Sequence, residues 1–155
     1  MRAGGDGVMG FISQLFYRPP ILQVAALCWR GTGDGVEILL VRSLDSNRWI
    51  LPKGWPMRGK TLAQAAAIEA WEEAGVEGQI SPHSIGIYAT QKRRATGIKQ
   101  ACQMHVYALH VSDVVLDFPE ADMRKTAWFP LFEALEKLRE PDLAAMIAVH
   151  LAPDP

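Results

Sequence analysis

Glu69, Glu72 and Glu73 fall at i, i+3 and i+4 and are followed by Gly75 and Val76. On a helix those spacings put three carboxylates on one face, within roughly a third of the circumference. Like charges this close repel. A solvated surface tolerates them, but the same arrangement holds Mg²⁺ or Mn²⁺, hard cations that take carboxylate and phosphate oxygens together. A second group, Lys92, Arg93, Arg94 and Lys99, gathers four positive charges into eight residues. Arg forks and Lys point charges suit phosphate, so this run reads as a polyphosphate clamp, with a solvated turn as the plain alternative. Lys53 and Arg58 flank Gly54 and can join such a clamp. The two groups together point to metal-assisted chemistry on a phosphorylated small molecule.

The elements that must position these residues can be read separately. Thr61 and Gln64 form a capping-box pattern, Ala65-Ala66-Ala67 is a strong helix former, and Gly75 suits a C-terminal cap with Val76 packing back after it. The spacing predicts a helix of about three and a half turns, with Ala67, Trp71 and Ala74 on the packed face opposite the glutamates. Pro52 to Gly59 carries two prolines and two glycines and reads as a shaped loop rather than helix or strand. Ile21–Trp29 and Val36–Arg42, joined by a glycine turn, read as a hairpin, and Arg48–Leu51 as a short strand. Gln79–Thr90 and Gln100–Val111 read as long strands joined by the basic turn, and Ala127–Phe129 as another short strand. Leu131–Arg139 and Asp142–Leu151 read as helices. Strands interleaved with helical regions imply an α/β (α+β) architecture, an α/β/α sandwich around a mixed sheet.

The segment Gly54–Val76 resembles the Nudix box, Gly-x5-Glu-x7-Arg-Glu-U-x-Glu-Glu-x-Gly-U, where U is a bulky apolar residue. Gly54, Glu69, Glu72, Glu73, Gly75 and Val76 match in place over 23 positions. Lys60 stands where a Glu is usual, Ile68 where an Arg is usual, and Ala70 is small for its position. In the family that Arg orients the glutamate beside it, so Glu69 here is either held by another cation or less precisely placed. Pro52-Lys53-Gly54 and Arg124-Lys125-x-x-Trp128-Phe129 make the chain similar to the branch that hydrolyses diphosphoinositol and diadenosine polyphosphates. The resemblance implies a Nudix-like fold and Mg²⁺- or Mn²⁺-dependent hydrolysis of a phosphoanhydride. It implies Glu69, Glu72 and Glu73 as catalytic and metal-binding residues, with the Lys53 backbone carbonyl and the outlying acid Glu120 as further metal ligands. Lys53, Gly54, Arg58, Arg93, Arg94 and Lys99 are the substrate-binding candidates. Nucleoside triphosphates, nucleotide sugars, capped RNA ends, and a polyphosphate-binding module without turnover are the alternatives.

The bulk properties fit these expectations. At 155 residues the chain can bury one core, and 49% apolar with 21% charged residues is ordinary globular composition. A formal net charge of −1 gives no case for a general nucleic-acid or membrane surface. Residues 1–18, glycine-rich at the start, are expected to be a partly flexible segment before a domain spanning 19–155. No apolar run reaches the 18 or so residues of a membrane span, and no secretory signal is evident. Cys28 and Cys102 lie singly in apolar runs and read as buried free thiols. The expected compartment is the reducing cytoplasm.

Overall fold

The computed structural model describes residues 19–152, so the expected segment 1–18 lies outside the described residues. One eight-stranded sheet carries β1 (Ile21–Arg30), β2 (Glu37–Arg42), β3 (Trp49–Ile50), β4 (Lys53–Gly54), β5 (Val76–Ile80), β6 (Gly86–Arg93), β7 (Lys99–Val114) and β8 (Thr126–Pro130). Among the described residues the α-helices are α1 (Leu62–Ala74), α2 (Leu131–Lys137) and α3 (Pro141–Leu151). The sheet is mixed: β1 runs parallel to β7, while β2 and β4 pair with β1, and β5 and β6 with β7, all antiparallel.

β1 sits at the centre, with neighbours on both edges, and its residues Val24 to Cys28 are all fully buried. Such a strand needs apolar side chains on both faces. Val24, Ala26 and Cys28 pack against α1, and Ala25 and Leu27 against α2 and α3. This two-sided core is the expected sandwich. Cys28 and Cys102 are buried and free, as their apolar settings implied. Among the described residues no helix is long and apolar enough to cross a membrane.

α1 starts and ends on the anticipated residues. The Gln64 N–H donates to Thr61 Oγ1 at 3.1 Å, and the Thr61 N–H donates to Gln64 Oε1 at 2.9 Å, completing the capping box. Gly75 closes the helix at φ +66°, its N–H donating to the Trp71 carbonyl, a conformation that favours glycine.

Three expectations change. Ala74 is buried, but Ala67 and Trp71 are only half-buried; the packed stripe is Ala63, Ala66, Ala70 and Ala74, with Glu73 buried beside it. The helix is therefore rotated inward relative to a reading that sends every charge to solvent. The small side chains of that stripe, Ala70 included, let the helix lie close to β1. The run Gln79–Thr90 is not one strand. It breaks between β5 and β6, and both halves pair with the 16-residue β7. Finally, Lys53 and Gly54 are not simple loop: they form β4, in register with Ala25 and Val24.

Candidate active site

A cleft of about 670 Å³ opens where α1 meets β4, with Lys53, Gly54, Trp55, Glu69, Glu73 and Arg124 among its walls. α1 supplies the carboxylates, and β4, clipped to β1, supplies the backbone they stand on. The Lys53 N–H donates to Glu73 Oε2 at 3.2 Å. A Cβ on Gly54 would lie 2.1 Å from Glu69 Oε1. Only a glycine leaves that carboxylate its place.

Glu73 is 5% exposed, and its second oxygen accepts from Arg124 Nη2 at 3.3 Å. Arg124 Nε donates to Glu120 Oε1 at 3.2 Å, and its Nη1 to the Arg42 carbonyl at 3.2 Å. The Glu120 N–H donates to the Glu72 carbonyl at 3.0 Å, tying that loop to the end of α1. No cation among the described residues makes an ion pair with Glu69; Arg124 instead grips Glu73 and Glu120. The partners Arg124 and Glu73 lie 51 residues apart, so helical spacing could not show the pairing. The sequence singles Arg124 out only within the Arg124-Lys125-x-x-Trp128-Phe129 element, not as a partner of Glu73.

Other expected residues are placed as follows. Glu72 and Glu120 border the cluster without lining the cleft, whereas Lys92 and Arg93 line it. Arg58 and Lys99 are exposed and outside the lining. Arg94 donates from Nε to Gln100 Oε1 at 2.7 Å, with its guanidinium carbon 5.7 Å from the Trp55 ring centre.

Burial pushes the Glu69 carboxyl up from an ordinary 4.5 to about 7, aided by the neighbouring Glu72 and Glu120 charges. Burial pushes Glu73 up to about 7 as well, against the opposing pull of Arg124 and the Lys53 N–H. Among the described residues no group of three or more acidic, His or Cys side chains stands close enough together to hold a metal ion as they are placed. The donor set nevertheless fits a hard cation: a buried and a half-buried carboxylate whose charges are mutually costly, beside a glycine that leaves one of them room.

A stability prediction follows from these two carboxyls. Between pH 4.5 and 7 the folded chain holds more protons on them than the unfolded chain does. Stability from these groups therefore falls as pH rises through that window. The melting temperature of metal-free protein is expected to drop between pH 5 and pH 8. Saturating Mg²⁺ should raise it more at pH 8 than at pH 5. An equal metal shift at both values would contradict this electrostatic account.

Gly54→Ala offers a local check. The atoms met by the new Cβ belong to the end of the flexible Glu69 side chain, so the fold should hold while the carboxylate moves. Turnover is expected to fall about a hundredfold, the scale set by displaced catalytic groups, with the melting temperature nearly unchanged. Wild-type turnover in the variant would show that the position of Glu69 is unimportant.

A family model described as NUDIX domain matches residues 20–149. Nudix hydrolase 12, mitochondrial, of Arabidopsis thaliana is 32% identical over 107 residues, covering 67% of this chain and 53% of that protein. Diphosphoinositol polyphosphate phosphohydrolase 2 of Rattus norvegicus is 29% identical over 119 residues, covering 76% and 62%. The chain spans between about half and three-fifths of the length of the curated relatives it matches first. Among solved structures, the C. elegans Ap4A hydrolase superposes with a TM-score of 0.60 at 22% identity, over 86% of this chain and 100% of that one. The NUDIX domain of Shewanella oneidensis NrtR, complexed with ADP ribose, superposes at 0.66 and 17%, over 93% and 98%. These structural likenesses concern the fold. With the family model spanning most of its length and the box residues Glu69 and Glu73 on one cleft, this chain belongs to the Nudix hydrolase family.

Proposed function

We propose that this chain hydrolyses a phosphoanhydride bond in a polyphosphorylated small molecule, with Mg²⁺ or Mn²⁺ held by Glu69, Glu72 and Glu73. Divalent metals are general in the family. The observation that carries the reading is the pair of carboxylates, half-buried Glu69 and buried Glu73, facing one cleft across the backbone of Lys53 and Gly54. When bound, the ion supplies charge neutralisation for phosphate oxygens and makes water easier to deprotonate. Glu73 and Glu72 serve as ligands, and Glu69 as a further ligand or as the group that orients the attacking water. The Lys53 carbonyl and Glu120 are the additional oxygen donors. Arg124 is a positioning residue: its grip on Glu73 and Glu120 keeps two carboxylates from springing apart. Arg93 and Arg94, on the basic hairpin, steady charge on the phosphates that do not react.

The favoured substrates are diphosphoinositol and diadenosine polyphosphates. In support stand the similarity to the rat phosphohydrolase, the fold shared with the worm Ap4A hydrolase, and the basic hairpin beside the cleft. A panel of diphosphoinositol polyphosphate, diadenosine polyphosphate, nucleoside triphosphate and ADP-ribose, followed by phosphate release and product separation, tests this. Preference for either of the first two agrees with the reading. Preference for ADP-ribose or a nucleoside triphosphate would replace the substrate class while leaving the hydrolase assignment.

A further inference from the structure

The basic hairpin stands clear of the body of the sheet. β1 begins at Ile21, opposite Cys102. Among the described residues, β6 from Gln91 to Arg93 and β7 from Lys99 to Ala101 therefore pair only with each other. That stretch is a ribbon two strands wide, and such a ribbon has little stability of its own in water. Ile98, near its tip, is exposed rather than packed. Yet two of its cations, Lys92 and Arg93, line the cleft. Cations left free would have to be ordered whenever a phosphate arrived, at a cost in affinity. Something on the rigid side of the cleft has to hold the ribbon.

Trp55 is placed to do so. It directly follows β4, whose Gly54 is in register with Val24 of the central strand. Pro56 comes next, and the residue before a proline is confined to extended backbone. The ring is thus carried on a fixed base. It is 42% exposed and belongs to neither apolar core, so burial does not account for a tryptophan here. Its neighbours are cations. The Lys92 ammonium lies 5.1 Å from the ring centre and the Arg94 guanidinium carbon 5.7 Å. Both are within cation–π reach, and tryptophan presents the strongest ring for that contact. Neither Lys92 nor Arg94 forms an ion pair among the described residues. The bond from Arg94 to Gln100 lies within the hairpin; it braces the ribbon without tying it to the cleft.

We propose that Trp55 is a positioning residue that tethers the basic hairpin to the cleft. Its ring seats Lys92 and Arg94 together and so fixes an otherwise weakly held ribbon at the cleft mouth. The inference rests on the phosphoanhydride reading for what the hairpin binds. Trp55 acts in it through the two cations and not as a wall against the substrate. The affinity of the site for phosphate chains then depends on an aromatic side chain that itself carries no charge.

Amide hydrogen exchange in metal-free, ligand-free protein reads the tether directly. Trp55→Leu should speed exchange of the ribbon amides about tenfold, the combined scale of two exposed cation–π contacts, and leave β1 and β4 unchanged. Trp55→Phe keeps a ring and should stay within about threefold of wild type. In the Lys92→Gln, Arg94→Gln background the ribbon is already loose, so adding Trp55→Leu should change exchange by less than about twofold. Calorimetry with inorganic tripolyphosphate supplies the second readout, with Trp55→Leu expected to bind about tenfold more weakly than wild type. The tether is overturned by unchanged ribbon exchange in Trp55→Leu, by faster exchange spread through β1 and β4, or by phenylalanine as damaging as leucine. It is equally overturned by a full effect persisting without the two cations, or by tripolyphosphate binding that is absent in wild type or equal in Trp55→Leu. If both effects appeared while no panel substrate was hydrolysed, the hydrolase reading would fail and the tether would stand.

Discussion

Glu73→Gln is expected to lower metal-dependent turnover by about a thousandfold, the scale for loss of a positioned acid–base group, while leaving the chain folded. Glu73 is almost wholly buried, accepts from the Lys53 N–H and faces the cleft beside Glu69. Glutamine keeps the shape and can still accept that backbone bond. What it loses is the charge that binds a cation. The same loss removes a carboxylate that burial makes costly to ionise, so the metal-free variant should melt no lower than wild type at pH 8. Activity and stability then move in different directions, which separates a functional residue from a structural one. Unchanged turnover, measured under saturating Mg²⁺, would remove Glu73 from the site.

The second large effect concerns Arg124. Its guanidinium is mostly buried and joins Glu73, Glu120 and the Arg42 carbonyl. Arg124→Met keeps most of the apolar bulk but leaves two carboxylates close together without their cation. Breaking a buried pair from one side commonly costs about 3 kcal/mol or more, and a loss of that size is expected at pH 8 in metal-free protein. The loss should shrink at pH 5, because Glu73, pushed up to about 7, is then protonated and needs no partner. Mg²⁺ should also restore part of it at pH 8 by supplying a replacement charge. Denaturant melts at the two pH values check both points. A cost under about 0.5 kcal/mol, the range of ordinary surface changes, would mean the network is incidental.

Much of the site was legible because its signals are local. The capping box at Thr61 and Gln64, the cap at Gly75 and the glutamate spacing all operate within one helix. What escaped the sequence depends on contacts between distant segments. Glu73 was expected to share an outward face with its neighbours, yet the alanine stripe draws α1 so close to β1 that Glu73 is buried beside it. Lys53 and Gly54 looked like loop because their strand is two residues long and exists only through pairing with β1. The break between β5 and β6 does carry a local signal, Ser81-Pro82-His83-Ser84, since proline cannot donate to a ladder; the single long run read across it had no way to show that β7 is long enough to serve two separate strands. In the sequence Arg124 stands only within the Arg124-Lys125-x-x-Trp128-Phe129 element, and its hold on Glu73, Glu120 and the Arg42 carbonyl joins segments far apart along the chain.

The most direct measurement is phosphate release from the polyphosphate panel, with and without Mg²⁺, for wild type and Glu73→Gln side by side. Turnover by wild type that needs the metal, and that the variant lacks, is the result this account predicts. Metal-independent turnover, equal turnover by the two proteins, or polyphosphate binding with no turnover on any member would contradict it.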